Sequence, residues 1–449
     1  MTDQVNTREV VLDMLLEVID GDKYSHTVLN QMLRRHQTLS KQERAFLTHL
    51  FSGTVKCYLT LDYIINQHAS LPVNKMKPLI RNLLRLSVYQ LFYMEQIPES
   101  AVCNEAVKLA KKRGFGKLSG FVNGVLRNIA RGKTGIRYPD AANATEAYLE
   151  IMYSTPLWLV RRLLSQYPPD QVESMLAASL KEKETTIRCN QKRIAPLVLK
   201  ERLVNEGIAV ENSEYLPYAF KISGYDYLEK IEAFQQGYFT VQDVSSMLVC
   251  QVAGIREGDY VADICAAPGG KALHAAEIAA QVSARDLTEY KIKLIEENIT
   301  RMGFTNIQTK VWDATIPDPE LTGRADVVIA DVPCSGIGVL GKKSDIKYKL
   351  TEKQLTELVE LQRRILHEAV QYVKPGGALI FSTCTVNKAE NEENRAWLLA
   401  NYPLVAESIE PLLPDKLSDS TGVQGYLQLV QGIHGTDGFF ISKYRKICE

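Results

Sequence analysis

Two hydrophobic periodicities divide this chain. Up to about residue 140, apolar side chains return every three or four positions: Val10, Val11, Met14, Leu15 and Val18 share one face, the repeat of an amphipathic helix. Ser40 and Glu43 form a capping box ahead of Ala45, Phe46 and Leu50, so a helix starts there. Ile80, Leu83, Leu84, Leu86, Val88 and Leu91 are too dense for a one-sided stripe and predict a central helix buried on most sides. With further helices over 101–112 and 118–129, five or more helices make a bundle.

Residues 132–147 are polar and small and read as a linker. Helices are predicted over 157–164 and 172–180, a strand over 186–189 and another helix over 194–206, so a small α+β subdomain runs to about Phe239. The stretch FTVQDVSSMLV, residues 239–249, then leads into a third region, where Gln242, Asp243, Ser245 and Ser246 suit a helix cap.

Beyond residue 250 the pattern changes to short, continuous apolar runs, as strands buried on both faces require. Tyr260 to His274 reads as such a strand, a tight turn at Pro268, Gly269 and Gly270, and a helix opening at Lys271. Glycines let a backbone approach a ligand closely, so strand, turn and helix start are the parts of a nucleotide-binding crossover. Runs over 278–284, 309–312 and 325–330 follow, ending at Asp286, Asp313 and Asp331. Open α/β sheets hold ligands at the carboxyl ends of their strands, so three acids at three successive strand ends form a candidate site. Val332, Pro333 and Cys334 come next, and a strand over 378–381 ends in Ser382, Thr383, Cys384 and Thr385. Two cysteines are thereby placed at the same sheet edge.

Composition adds bounds. A chain of 449 residues should hold two or three domains. The 53 basic and 53 acidic residues balance overall, but residues 1–140 carry 20 basic against 12 acidic, a net of +8, leaving 33 against 41 elsewhere. Lys111, Lys112, Arg113, Lys117, Arg127, Arg131 and Lys133 gather around the last two front helices, either as a solvated face or as a phosphate-binding surface. Eight cysteines lack CxxC spacing, the Met1 end has no apolar signal region and no run is long enough to span a bilayer. A cytoplasmic protein without disulfides, zinc or other metal is expected, and the Asn143–Ala144–Thr145 sequon is then without meaning.

The motifs DICAAPGGK, ADVPCSGIGVLG and FSTCTVNKAENEEN resemble the signatures of the RNA cytosine-5 methyltransferases, which use S-adenosylmethionine. The resemblance runs from Gln242 to the final DGFFISKYRK. REVVLDMLLEV, SKQERAFLTHLFSGTV, SAVCNEAVKLAKKRG and FVNGVLRNIAR resemble the NusB-like RNA-binding domain. That combination is similar to the RsmB (Sun/Fmu) type, which acts on 16S rRNA. The resemblance implies an all-α NusB-like bundle over 1–140, a small α+β RNA-facing subdomain over 141–240 and an α/β Rossmann-like class I methyltransferase domain over 241–449.

It also implies roles. Carbon 5 of cytosine is too electron-poor to attack a methyl sulfonium, and addition of a thiolate at carbon 6 makes it nucleophilic. By the family's pattern Cys384 is that nucleophile, Cys334 assists release and Asp331 hydrogen-bonds the base. The family's cofactor loop corresponds to Cys265, Ala266, Ala267, Pro268, Gly269, Gly270 and Lys271, with Asp286 on the ribose, Asp313 by the adenine and Asp331 bordering both ligands. Asp263 lies nearby, and residues 239–249 lie beside the cofactor pocket. Lys271 either favours the Cys384 thiolate or is a solvated helix-start lysine. Cys57, Cys103, Cys189, Cys250 and Cys448 read as small packing residues. TCT stands where TCS is commoner, and Gly341 and Ser344 stand where arginine and proline are frequent, while Lys342, Lys343 and Lys347 keep that loop basic.

The expected partner is RNA with its target in a loop or partly unfolded region, since the base must leave the stack; no obligate protein partner is indicated. Two other readings remain open at this point. One is a catalytically silent RNA-binding assembly factor; the other is an amino-methyltransferase, which would want an aromatic residue where Cys334 stands. Action on transfer RNA or another rRNA position is a further alternative.

Overall fold

A computed structural model describes residues 6–36, 38–417 and 421–447; Met1 and Cys448 lie outside the described residues. The chain forms two compact units, Met1–Lys181 with Leu340–Lys349, and Glu182–Val339 with Leu350–Glu449.

The first unit is helical. Thr7–Leu15 is capped by Asn6, whose side chain accepts from the Arg8 and Glu9 amides, and it buries Val11, Leu12, Met14 and Leu15. Both halves of the Ser40/Glu43 capping box form at the start of Lys41–Lys56, a device worth about 1 kcal/mol. The central helix Pro78–Tyr93 is buried along nearly its whole length. Its polar residues are therefore matched inside: Arg85 donates both arms of its guanidinium to Asp62, at 2.7 Å each, and Nη1 to Asn82. Helices Glu99–Lys112 and Ser119–Arg131 complete the core, and Thr145–Met152, Leu157–Leu164 and Pro169–Leu180 belong to the same unit.

Three expectations change here. The stretch read as a linker is tied down, with the Arg137 carbonyl accepting from Tyr63 Oη at 2.7 Å, and it ends in helix by Thr145. The basic cluster is partly neutralised: Lys112 pairs with Glu9, Arg113 with Asp13 and Lys133 with Glu99, while Lys111, Lys117, Arg127 and Arg131 are exposed. Lys347 does not keep its loop basic. It is 1% exposed, with Nζ donating to the carbonyls of Lys56 and Tyr153 at 3.1 Å. Around it Asp345 accepts from the Ser25 amide and hydroxyl.

In the second unit β1 (Thr185–Cys189), β2 (Ala209–Asn212), β3 (Ala219–Ser223) and β4 (Phe239–Val241) form an antiparallel sheet in the order β2-β3-β1-β4. The large sheet is built from β5 (Tyr260–Asp263), β6 (Gln281–Asp286), β7 (Ile307–Val311), β8 (Ala325–Asp331), β9 (Val373–Thr383), β10 (Leu404–Ala406), β11 (Tyr426–Leu429) and β12 (Phe439–Lys446). Its order is β10-β12-β9-β8-β5-β6-β7, with β11 paired to β12. The five strands β5 to β9 are parallel and β12 is antiparallel to β9.

Both faces are covered, as a parallel sheet demands. Leu248, Ala272 and Ile295 pack on one face, and Ile365, Leu366 and Ala369 on the other. The order reverses at β5, whose neighbours are β6 and β8; this is the topological switch point where doubly wound sheets open a crevice. The strand expected over 278–284 begins at Gln281 instead, because Ile278 lies in the turn after the preceding helix, 41% exposed.

Burial lowers the Lys347 pKa from 10.5 to about 7, with Cys57 opposing and Lys56 adding to the fall. Between those pH values only the unfolded chain carries the proton, so stability rises with pH across that window, by up to roughly 1.4 kcal/mol per unit. Lys347→Met should abolish this slope. Denaturant unfolding of both proteins at pH 7, 8 and 9 checks it; a constant stability difference contradicts it.

Candidate functional site

The carboxyl ends of β5, β6, β8 and β9 converge at the switch point. β5 ends in Asp263, in register with Ala284 of β6 and Ile329 of β8. The following loop is laced to its neighbours: the Ile264 amide donates to the Ile329 carbonyl and the Ala266 amide to the Arg285 carbonyl. Gly269 closes the turn through its amide to the Ala266 carbonyl at 2.7 Å, at φ +105. That backbone suits glycine, and a Cβ there would meet Ile295 at 3.3 Å. Gly270 then opens a helix of six residues that contains Lys271, beside Gln242, whose side chain accepts from buried Arg188. Asp243 acts as the helix cap expected of it, accepting from the Ser245 amide.

The acids differ in their surroundings. Asp286 is 5% exposed; one oxygen accepts from the Ala267 amide at 2.9 Å and the other from Lys291 Nζ and the Leu287 amide. It therefore braces the 265–271 loop against β6. Asp313 follows β7, where the amide and hydroxyl of Thr315 hold its carboxyl below the usual range. Asp331 ends β8 with Oδ2 on Lys271 Nζ at 2.5 Å and Oδ1 accepting from Ser382 Oγ at 2.8 Å. Lys271 keeps its charge: burial, the largest single effect, opposes it, but Asp331 together with Asp263 and Cys250 outweighs burial and raises its pKa.

Asp263 is fully buried; the Cys265 amide reaches its carboxylate weakly, and both oxygens are left short of a well-formed hydrogen bond. Burial pushes its pKa to about 7; Lys271 opposes the rise, and Asp331 and Asp286 add to it. A buried, poorly matched carboxylate is costly, and the raised pKa is the form that cost takes.

Cys334 and Cys384, fifty positions apart, have their Sγ atoms 3.2 Å apart. Parallel pairing of β8 with β9 puts Asp331 opposite Ser382, and each cysteine follows its strand end. The Cys334 thiol is pushed well above its usual pKa, first by the hydrogen bond to Cys384, then by burial, then by the charges of Cys384, Glu390 and Asp331. Burial and the neighbouring acids likewise raise the half-buried Cys265. Cys57, Cys103, Cys189 and Cys250 are buried free thiols. The structure thus brings Lys271, Asp331 and both cysteines into one group, with the 265–271 loop and Asp286 beside it. Ser335, Gln362 and Glu390 were not singled out from the sequence, yet they form a buried network beneath the cysteines. The signal was the run of Asn and Glu in AENEEN, too polar for the segment between a buried strand and a helix.

Below pH 7 the folded chain holds Asp263 protonated, whereas the unfolded carboxyl ionises near its ordinary 3.8. Stability therefore falls as pH rises from about 4 to 7, by at most roughly 1.4 kcal/mol per unit. Asp263→Asn should gain on the unsubstituted chain over that interval in urea unfolding without added ligand. No such gain would mean that the buried carboxyl is already charged.

Family models match the chain over residues 251–445 (16S rRNA methyltransferase RsmB/F), 5–131 (NusB family) and 155–225 (RsmF/B-like methyltransferase, ferredoxin-like domain). The chain is 35% identical to the probable ribosomal RNA small subunit methyltransferase B of Bacillus subtilis, over 99% of each. To the protein of that description from Synechocystis sp. it is 30% identical, over 98% of this chain and 100% of the other. The crystal structure of PH0851 is similar over 99% of both chains, with TM-score 0.81 and 25% identity. NSun6 from Pyrococcus horikoshii, solved with SFG, shares the fold over 64% of this chain and 98% of its own, with TM-score 0.56 and 22% identity.

Proposed function

This chain belongs to the ribosomal RNA small subunit methyltransferase B family, and from that premise we propose that it methylates carbon 5 of a cytosine in 16S rRNA through a covalent bond to Cys384. The target in this reading is cytosine 967 in the usual rRNA count, and the enzyme works in the cytoplasm. The observation that carries the chemistry is the pair of thiols 3.2 Å apart beside Asp331 and Lys271.

The crevice fits S-adenosylmethionine. Asp263, whose oxygens lack a well-formed hydrogen bond, would take its ammonium, Asp286 would take its ribose, the region of Asp313 its adenine, and residues 265–271 would hold the remainder. When bound, it supplies the methyl group to carbon 5.

The Cys334 thiol holds its proton more tightly than usual, the contact with Cys384 being the largest cause; in this reading it donates to Cys384 and favours that sulfur as the thiolate. The Cys384 thiolate adds to carbon 6, and the ring's electron pair moves onto carbon 5, which takes the methyl group. Asp331 orients the base by hydrogen bonding to its ring nitrogen or amine, held in place itself by Lys271 and Ser382. Once Cys384 is bonded to carbon, the largest cause of the raised Cys334 pKa is gone, while burial and the charges of Glu390 and Asp331 still raise it, so the step uses the fraction of Cys334 that has given its proton to water. As a thiolate it accepts the carbon 5 proton. The freed electron pair restores the 5,6 double bond, and the carbon–sulfur bond breaks with its pair returning to Cys384.

Cys334→Ala should therefore leave a protein–RNA band on a denaturing gel with unmodified 16S rRNA and S-adenosylmethionine, whereas Cys384→Ala should give neither band nor methylated cytosine. Methylation of cytosine by Cys384→Ala would overturn the nucleophile assignment, and no methylation by the unsubstituted protein would favour a silent RNA-binding factor.

The helical unit binds rRNA through Lys111, Lys117, Arg127 and Arg131, exposed cations of its basic cluster. Replacing two of them should weaken binding at every sequence tested and lower the slope of log K against log salt by about 1.5. An unchanged slope would place the contact elsewhere.

A further inference from the structure

Beneath the two cysteines lies a carboxylate that the chemistry above does not use. Glu390 is 0% exposed, six residues after Cys384, in the turn before the helix Glu392–Asn401. Four hydrogen bonds converge on it: Oε2 accepts from the Ser335 amide at 2.8 Å and from Gln362 Nε2 at 2.9 Å, and Oε1 accepts from Ser335 Oγ at 2.5 Å and from Asn387 Nδ2 at 2.9 Å.

The donors identify what the carboxylate holds. Ser335 is the residue after Cys334, and both its amide and its hydroxyl point at Glu390. Gln362, on the long helix Glu352–Tyr372, also donates to the Pro333 carbonyl at 3.0 Å, so the residues on both sides of Cys334 are held. Ser335 Oγ lies 2.7 Å from Thr385 Oγ1, next to Cys384, and the Asn387 amide donates to that Thr385 hydroxyl. With Ser335 giving its hydroxyl proton to Glu390, Thr385 donates to Ser335, and every group in the chain has a defined direction. Gln362 is oriented in turn by Asn394, whose amide donates to its Oε1. One buried side chain from the Cys384 loop thus grips the backbone and side chain of the Cys334 loop.

We infer that Glu390 is a positioning residue that sets the place of Cys334 relative to Cys384, and hence the release step rather than the bond-forming one. This rests on the covalent route proposed above. One of the four bonds, from Asn387, ties Glu390 to the Cys384 loop, whereas the other three come from Ser335 and from Gln362, which also holds the Pro333 carbonyl. Its loss should displace Cys334 first.

Only a carboxylate accepts at both oxygens. Glu390→Gln has the same size but turns an amide NH2 towards two of the four donors, so the buried network is left mismatched. Steady-state turnover on 16S rRNA should fall roughly 10- to 100-fold, as a small misplacement of a reacting group does, with KM for RNA and for S-adenosylmethionine within about twofold. A protein–RNA band should accumulate on denaturing gels although Cys334 is present, as it does for Cys334→Ala. General loosening of the fold would instead raise both KM values and diminish the band. Should Glu390→Gln fail to fold, Ser335→Ala and Gln362→Leu remove donors from the other side and should give the same band to a smaller degree.

If Cys334→Ala itself yields no band, the covalent reading fails. If Cys334→Ala yields one but neither Glu390→Gln nor the donor variants do, this inference alone is overturned. Full turnover in a folded Glu390→Gln overturns it as well.

Discussion

Parallel pairing of β8 with β9 is the constraint on which the site depends. It puts Asp331 opposite Ser382 and so delivers two loops, fifty residues apart in sequence, to the same edge, where their thiols meet at 3.2 Å. A slip of one residue would turn alternate side chains to the opposite face, taking Asp331 from Ser382. The register is fixed by burial, since Ala325, Val328, Ala330, Leu379 and Phe381 fill one face of the sheet while Val327, Ile329, Ala378 and Ile380 fill the other. Packing of these apolar side chains is therefore what holds a polar, reactive pair in place.

Charge around that pair is arranged with opposite purposes on its two sides. Lys271 and Ser382 satisfy Asp331 at both oxygens, whereas Asp263, one strand away, is buried and short of a well-formed hydrogen bond. The first is an acid ready to hold an orientation. The second is an acid whose burial is unfavourable. Below the cysteines Glu390 is matched fourfold by neutral donors. Three carboxylates of one site thus differ in their surroundings.

Much of this was legible in the sequence for a physical reason. Parallel strands buried on both faces must be continuous apolar runs, and functional residues must follow them; ADVVIA before Asp331 is such a run, and β8 ends at that acid. The capping box at Ser40 was legible because it is local. What escaped was non-local. Lys347 looks like any loop lysine, and only the Lys56 and Tyr153 carbonyls, distant in sequence, explain its burial. Ile278 is apolar yet exposed, so hydrophobicity alone put the start of β6 too early. Pairing of Lys112, Arg113 and Lys133 with acids of other helices could not be read from a run of basic letters. In the helical unit, matched by the NusB family model, three of the seven clustered cations are thus paired.

The account's central claim is that one particular thiol of the pair becomes bonded to the base. RNA carrying 5-fluorocytosine tests it most directly, because fluorine at carbon 5 cannot leave as the proton does and the adduct persists in the unsubstituted protein. Proteolysis and mass spectrometry of that adduct should find the methylated nucleotide on the peptide containing Thr383, Cys384 and Thr385. A nucleotide on the Cys334 peptide, or no adduct with an RNA that is methylated when unmodified, would contradict the claim.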